Sequence, residues 1–223
     1  MFFPPLIFFL MLVFFFLALV LLPFLMVGLM GQAFIKLGLP PGAMFWLLIL
    51  TLVGSLVNIP LYTLRNPGVM GDQVISYYGM RVRIPRVQAP QTVVGINVGG
   101  ALIPLGLSLW LLTRMELGLY LPVLVGLIIL LANRLARPIR GVGIALPGFI
   151  PPLAAALGAY LLCPAPELRA PSAYIASTLG ILVGADLLNL GKIQGLGAPV
   201  ASIGGAGTFD AIFLGGVIAV LLS

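Results

Sequence analysis

The chain has 223 residues, of which 61% are hydrophobic and 7% charged, and its mean hydropathy is +1.24. Ordinary soluble domains are about 25% charged, so this composition excludes a soluble globular domain and predicts an integral membrane protein. The net charge of +6 comes from basic residues beside apolar stretches, which predicts topology signals and contacts with anionic lipid rather than a nucleic-acid surface. There is no histidine, and Cys163 is the single cysteine. That excludes imidazole ligands, Ser-His and Cys-His nucleophiles, an intrachain disulfide and a cysteine metal cluster. No cofactor or metal is expected.

In chain order, the apolar run from Pro5 to about Met30 lacks a basic leader and is too long for a signal peptide, so it reads as a first span. Further spans are predicted at 42–63, 92–113, 117–135, 142–163, 172–190 and 202–222, after a first at 6–30. Each is near the ~20 residues a helix needs to cross a bilayer. The runs are unbroken rather than alternating, which favours helices over a barrel. The expected fold is all-α: a polytopic membrane protein of about seven helices in one transmembrane domain, 1–223. It divides into two N-terminal helices (1–63), a cytoplasmic interfacial loop (64–91) and a five-helix region (92–223).

Within 64–91, SYYGMRVRIPRV (76–87) alternates, with Arg81 and Arg83 on one face and Val82 and Ile84 on the other. That predicts a short strand or hairpin at the membrane surface, resting on headgroups or offering an edge to an extended peptide. Beyond it lies an internal repeat. VGINVGGALIPLGLSL (94–109) aligns with VGIALPGFIPPLAAAL (142–157), matching Gly95 with Gly143, Gly100 with Gly148 and Pro104 with Pro152. A related AP…SIGG (198–205) opens the last span. Two spans per copy predicts parallel helical-hairpin repeats.

Lysine and arginine set the direction. The first, third and fifth connections hold Lys36, Arg114 and Arg169; the second, fourth and sixth hold Arg65, Arg81, Arg83, Arg86, Arg134, Arg137, Arg140 and Lys192. Three against eight places the even connections in the cytoplasm, the N-terminus inside and the C-terminus outside, in a cytoplasmic membrane.

Two of the five acidic residues, Asp186 and Asp210, fall inside apolar segments, in GADLLNL (184–190) and GGAGTFDAIFL (204–214). A carboxylate in a bilayer costs at least ~2.5 kcal/mol and marks a functional site by default. Span six ends and span seven begins on the predicted cytoplasmic side, so the two carboxylates lie at similar depth on neighbouring segments. Cleaving a peptide bond within a membrane without histidine or zinc leaves one route. Two close carboxylates share a proton; one activates water and the other protonates the carbonyl oxygen. Gly204, Gly205 and Gly207 supply a small-residue backbone for substrate to approach, and Asn189 is a further candidate contact.

At these residues the chain resembles the GxGD-type intramembrane aspartyl proteases: presenilin, signal peptide peptidase and, more distantly, prepilin peptidase. ADLLNLGK (185–192) looks like the element carrying the first catalytic aspartate, and GAGTFDAIFLGG (205–216) like the second. Here Thr208 and Phe209 separate Gly-Ala-Gly from Asp210, and no Pro-Ala-Leu follows it. The resemblance implies an aspartic endopeptidase acting on transmembrane or signal-peptide-like substrates in membrane lipid. The alternative is a cation- or proton-coupled transporter or channel, with Asp186, Asp210, Asn97 and Asn189 along the path.

Overall fold

The computed structural model describes residues 5–65, 74–77, 80–83, 91–139, 143–194, 198–205 and 211–223. Asp210, Gly207, Arg86 and Arg140 lie outside them. Helix α1 (Pro5–Lys36) is apolar up to its last turns, where Gln32 and Lys36 fall. Helix α2 (Pro41–Gly54) opens on a proline, where a missing N–H costs nothing. Strands β1 (Asn58–Arg65), β2 (Val74–Tyr77), β3 (Met80–Arg83) and β4 (Gln91–Asn97) follow. A π-helical turn (Val98–Leu102) leads into α3 (Ile103–Leu112). Then come α4 (Tyr120–Leu135), β5 (Arg137–Ile139), β6 (Gly143–Ala145), α5 (Ile150–Leu162), α6 (Arg169–Ile181), β7 (Val200–Ile203) and α7 (Ala211–Leu222). The backbone of α6 continues through a π-helical turn (Leu182–Asp186) and a 3-10 stretch (Leu187–Lys192).

Most of the described chain is helical, but the all-α expectation is corrected. Spans expected at 42–63, 92–113 and 202–222 are each part helix and part strand. Their strands join in one sheet of order β1-β4-β7. β1 pairs antiparallel with β4, from Asn58 opposite Asn97 to Arg65 opposite Gln91, and β4 pairs parallel with β7, from Val93 opposite Val200 to Ile96 opposite Ile203. An unbroken apolar run is compatible with a buried strand as well as a helix, and periodicity does not separate them. Here β-branched and glycine-containing stretches such as TVVGIN (92–97) satisfy their backbone across the ladder instead of within a helix. The smaller sheets are antiparallel pairs: β2 with β3, and β5 with β6.

Each of β4, β6 and β7 precedes a helix. Gly95 and Gly143 lie in β4 and β6, and Pro104 and Pro152 in the first turns of α3 and α5. The turns after β4 and β7 meet backbone to backbone. A methyl group at Gly100 would overlap the Gly204 carbonyl oxygen, and one at Gly204 would come within 2.7 Å of the Ala101 nitrogen. Gly204 and Gly205 have φ of 84° and 72°, a region that costs glycine little.

Helix α6 is the hub, packing on α3, α4, α5 and α7 and buried over most of Ser172–Ile181. Small residues let it approach closely: methyl groups at Gly180 and Gly184 would collide with Ile128, Ile129 and Ala132 of α4. At one end of the molecule, Gln194 Nε2 donates to the Arg65 carbonyl, joining the connection after α6 to the end of β1. At the other end, Lys36 Nζ donates to the carbonyls of Val220, Leu221 and Ser223 at 3.0–3.3 Å, capping α7 with a cation. The outward faces carry large apolar side chains, among them Leu119 (86% exposed) and Phe149 (75%). Among the described residues one continuous helix, Pro166–Lys192, is long and apolar enough to cross a membrane.

Candidate functional site

The site begins where α6 loses its regular ladder. The π-helical turn at Leu182–Asp186 releases carbonyls that two buried or half-buried amides recover. Asn133 Nδ2, from α4, donates to the Gly184 carbonyl at 3.1 Å. Asn189 Nδ2 donates to the carbonyls of Gly184 and Ala185 at 3.0 and 2.9 Å, and its Oδ1 accepts from Lys192 Nζ at 2.7 Å. π-Helical turns of this kind recur at functional sites. This one ends on Asp186, which is half-buried.

Asp186 Oδ2 accepts a 2.8 Å hydrogen bond from the Gly204 amide, just past the end of β7. The left-handed conformations of Gly204 and Gly205 turn the chain there, and Gly205 N–H closes the turn on the Ser202 carbonyl at 3.2 Å. Asp186 lines a cavity of about 340 Å³, within the size range of small-molecule and substrate clefts. Strand β7 forms one wall, Gly143 and Ile144 of β6 another, and Gly205 and Ile212 border the segment between β7 and α7.

Among the described residues, β7 is an edge strand. The Val93 amide donates to the Pro199 carbonyl on its paired side. By the alternation of a ladder, Val200 and Ser202 therefore turn their backbone groups outward. Both residues line the cavity.

A polar network supports the sheet beside this cavity. Asn97 is fully buried. Its Oδ1 accepts from the Gly100 amide at 2.7 Å, and its Nδ2 donates to the Ser55 carbonyl at 2.8 Å and to Asn58 Oδ1 at 3.2 Å. Ser202 Oγ donates to the same Asn58 oxygen at 2.6 Å. Asn58 and Ser202 both line the cavity.

Of the residues singled out in the sequence, Asp186, Gly204 and Gly205 come together here. Asn189 is close in sequence but is occupied in holding the broken helix end. Lys192 Nζ binds Asn189 Oδ1. Asp210 and Gly207 fall in the segment outside the described residues, and its flanks, Gly205 and Ile212, both line the cavity. Asn58 and Ser202 carried one weak signal, a polar side chain within an apolar stretch. Among the described residues no cluster of three or more metal-ligating side chains occurs.

Residues 52–222 match the family described as protein of unknown function, DUF1614. The chain belongs to the DUF1614 family. No curated protein and no solved structure matches it. The region matched to DUF1614 starts within α2 and holds the whole sheet, all of α3 to α7 and every cavity residue named above.

Proposed function

We propose that this DUF1614 protein is an intramembrane aspartyl endopeptidase in which Asp186 and Asp210 form the catalytic pair, remotely akin to the GxGD-type proteases. One observation carries the reading: Asp186 and both flanks of the Asp210 segment line a single cavity, walled by the open edge of β7. In the reaction, one carboxylate takes a proton from water as its oxygen adds to the peptide carbonyl carbon. The other carboxyl gives its proton to the carbonyl oxygen. Collapse of the resulting diol breaks the C–N bond, and the amine leaves with a proton. The edge of β7 supports an extended substrate, because a strand laid along it gains main-chain hydrogen bonds beside the carboxylate.

The reading includes about seven crossings of a cytoplasmic membrane, four of them part strand and part helix, with hairpin repeats running parallel. The N-terminus lies inside and the C-terminus outside. The exposed apolar faces support lipid contact, and the backbone of the central strand β4 is satisfied by β1 and β7, while the outer edge of β7 borders the cavity rather than lipid. Substrates are transmembrane or signal-peptide-like segments.

Asp186→Ala and Asp210→Ala are each expected to abolish cleavage of a reporter transmembrane peptide by the purified protein in detergent, with melting temperature retained. Cleavage surviving in either variant removes the reading. A transport reading is favoured by the apolar stretches that change from strand to helix near the cavity, since broken spans and repeats build transporter sites. It would show instead as proton- or cation-linked uptake into liposomes that is lost in the same variants.

A further inference from the structure

We propose that the β2–β3 hairpin is a docking element that binds a surface of anionic phospholipid headgroups. The inference rests on the membrane placement above and on none of the protease chemistry. The hairpin's register sets Val74 opposite Arg83, Ile75 opposite Val82, Ser76 opposite Arg81 and Tyr77 opposite Met80. Directly opposed residues share a face, and successive residues alternate between faces. One face therefore carries Ile75, Tyr77, Met80 and Val82, and the other carries Val74, Ser76, Arg81 and Arg83. The first is wholly apolar, and the second holds both cations. Among the described residues the two strands pair only with each other and pack extensively on no other element. A lone two-stranded hairpin is marginal in water and needs an apolar surface against one face.

Charge and position identify that surface. The hairpin lies between the ends of β1 and β4, which are neighbours in the sheet, with Arg65 opposite Gln91. Gln194 binds the Arg65 carbonyl, so the sixth connection, which carries Lys192, reaches the same end. Residues 65–90 hold Arg65, Arg81, Arg83 and Arg86 against the single acid Asp72. Of the other described carboxylates, Glu116 and Glu167 belong to the third and fifth connections, across the membrane in the proposed orientation, and Asp186 accepts from the Gly204 amide. The partner that offers both excess negative charge and apolar depth is an anionic lipid layer. The apolar face rests at the acyl boundary, and the long arginine side chains reach back to the level of the phosphates. Docking holds the root of the β1–β4 pair at the headgroups, and so sets the depth of the sheet whose strand β7 walls the Asp186 cavity.

The test places an environment-sensitive dye on the full chain in nanodiscs. Cys163 is the single cysteine, so Cys163→Ala with Met80→Cys labels the apolar face, and Cys163→Ala with Ser76→Cys labels the other. In phosphatidylcholine containing phosphatidylglycerol, the dye at position 80 is expected to shift to the blue and to be quenched by nitroxide-bearing lipid, and the dye at position 76 to be quenched less. Arg81→Gln with Arg83→Gln is expected to weaken docking about 25-fold, at about fivefold for each cation near an anionic surface. High salt is expected to weaken it in the same direction. Arg81→Lys with Arg83→Lys, which keeps the charge, is expected to dock as the wild type does. Quenching at position 80 that is absent, equal to that at position 76, unchanged in phosphatidylcholine alone or unaffected by the glutamine substitutions overturns the inference. Should the glutamine variant fail to fold, the salt dependence decides, and docking indifferent to salt overturns it. A shift produced by inorganic phosphate in phosphatidylcholine nanodiscs also overturns it, by showing an anion site in place of a membrane contact. A chain that never enters nanodiscs defeats the membrane placement and this inference together. Loss of the lipid dependence alone leaves the placement and the protease reading standing.

Discussion

At the scale of single residues, the site depends on small polar groups in places where water is scarce. The Gly184 carbonyl is an example. It lies in the π-helical turn, and both Asn133 and Asn189 donate to it. Removing a partner from a buried acceptor costs about 1–3 kcal/mol. Asn133→Leu is therefore expected to lower the midpoint of thermal unfolding and to displace Asp186 from the Gly204 amide, seen as loss of activity beyond the loss of stability. Full activity with normal stability in that variant would show that the helix break needs no support from α4. The cluster of Asp186, Gly204 and Gly205 was legible in the sequence, because a carboxylate and paired glycines stand out in an apolar run. The Asn58–Ser202 pair was not, since its members are 144 residues apart and each is unremarkable alone.

At the scale of elements, the recurring unit is a strand that runs through a glycine-bearing turn into a helix. Two such turns, after β4 and β7, press against each other with no room for a side chain. Gly100→Ala forces the new methyl into the Gly204 carbonyl. The methyl has no rotamer and the carbonyl is backbone, so neither can rotate away, and the expected cost is about 1–3 kcal/mol. Gly106, within α3, faces open space. Gly106→Ala is expected to leave stability unchanged or raise it by up to about 1 kcal/mol, since glycine is a poor helix former. Unfolding midpoints of the two variants in the same detergent check the contrast; equal midpoints would mean that the two turns are not in close contact in solution. The repeat visible in the sequence mapped the positions of Gly95, Gly143, Pro104 and Pro152. It did not disclose that strands precede the helices, because a glycine and a proline nine residues later mark a hairpin of helices equally well.

At the scale of the whole molecule, two side-chain contacts tie distant parts of the chain together. The sixth connection meets the end of β1 through Gln194 and Arg65, while the end of α1 meets the end of α7 through Lys36. The proposed membrane orientation puts the even connections in the cytoplasm. A periplasmic reporter enzyme fused after Ser223 is expected to be active, and one inserted between Arg65 and Gln91 inactive. The reverse pattern would invert the molecule and move the site to the opposite face. Cells expressing the fusions report this directly, with a cytoplasmic reporter at the same positions as the reciprocal control.

Composition alone determined that this chain carries little charge and much apolar side chain, and a rare carboxylate within an apolar run pointed to Asp186, which lines the cavity. These are properties of the residues themselves, so they survive without knowledge of any partner. Whether an apolar run became helix or strand was decided only in the folded chain. A helix closes its hydrogen bonds within a few residues, whereas β4 needs β1 on one side and β7, more than 100 residues later in sequence, on the other. The cavity exists because that long-range ladder stops at β7 and leaves its outer edge beside Asp186.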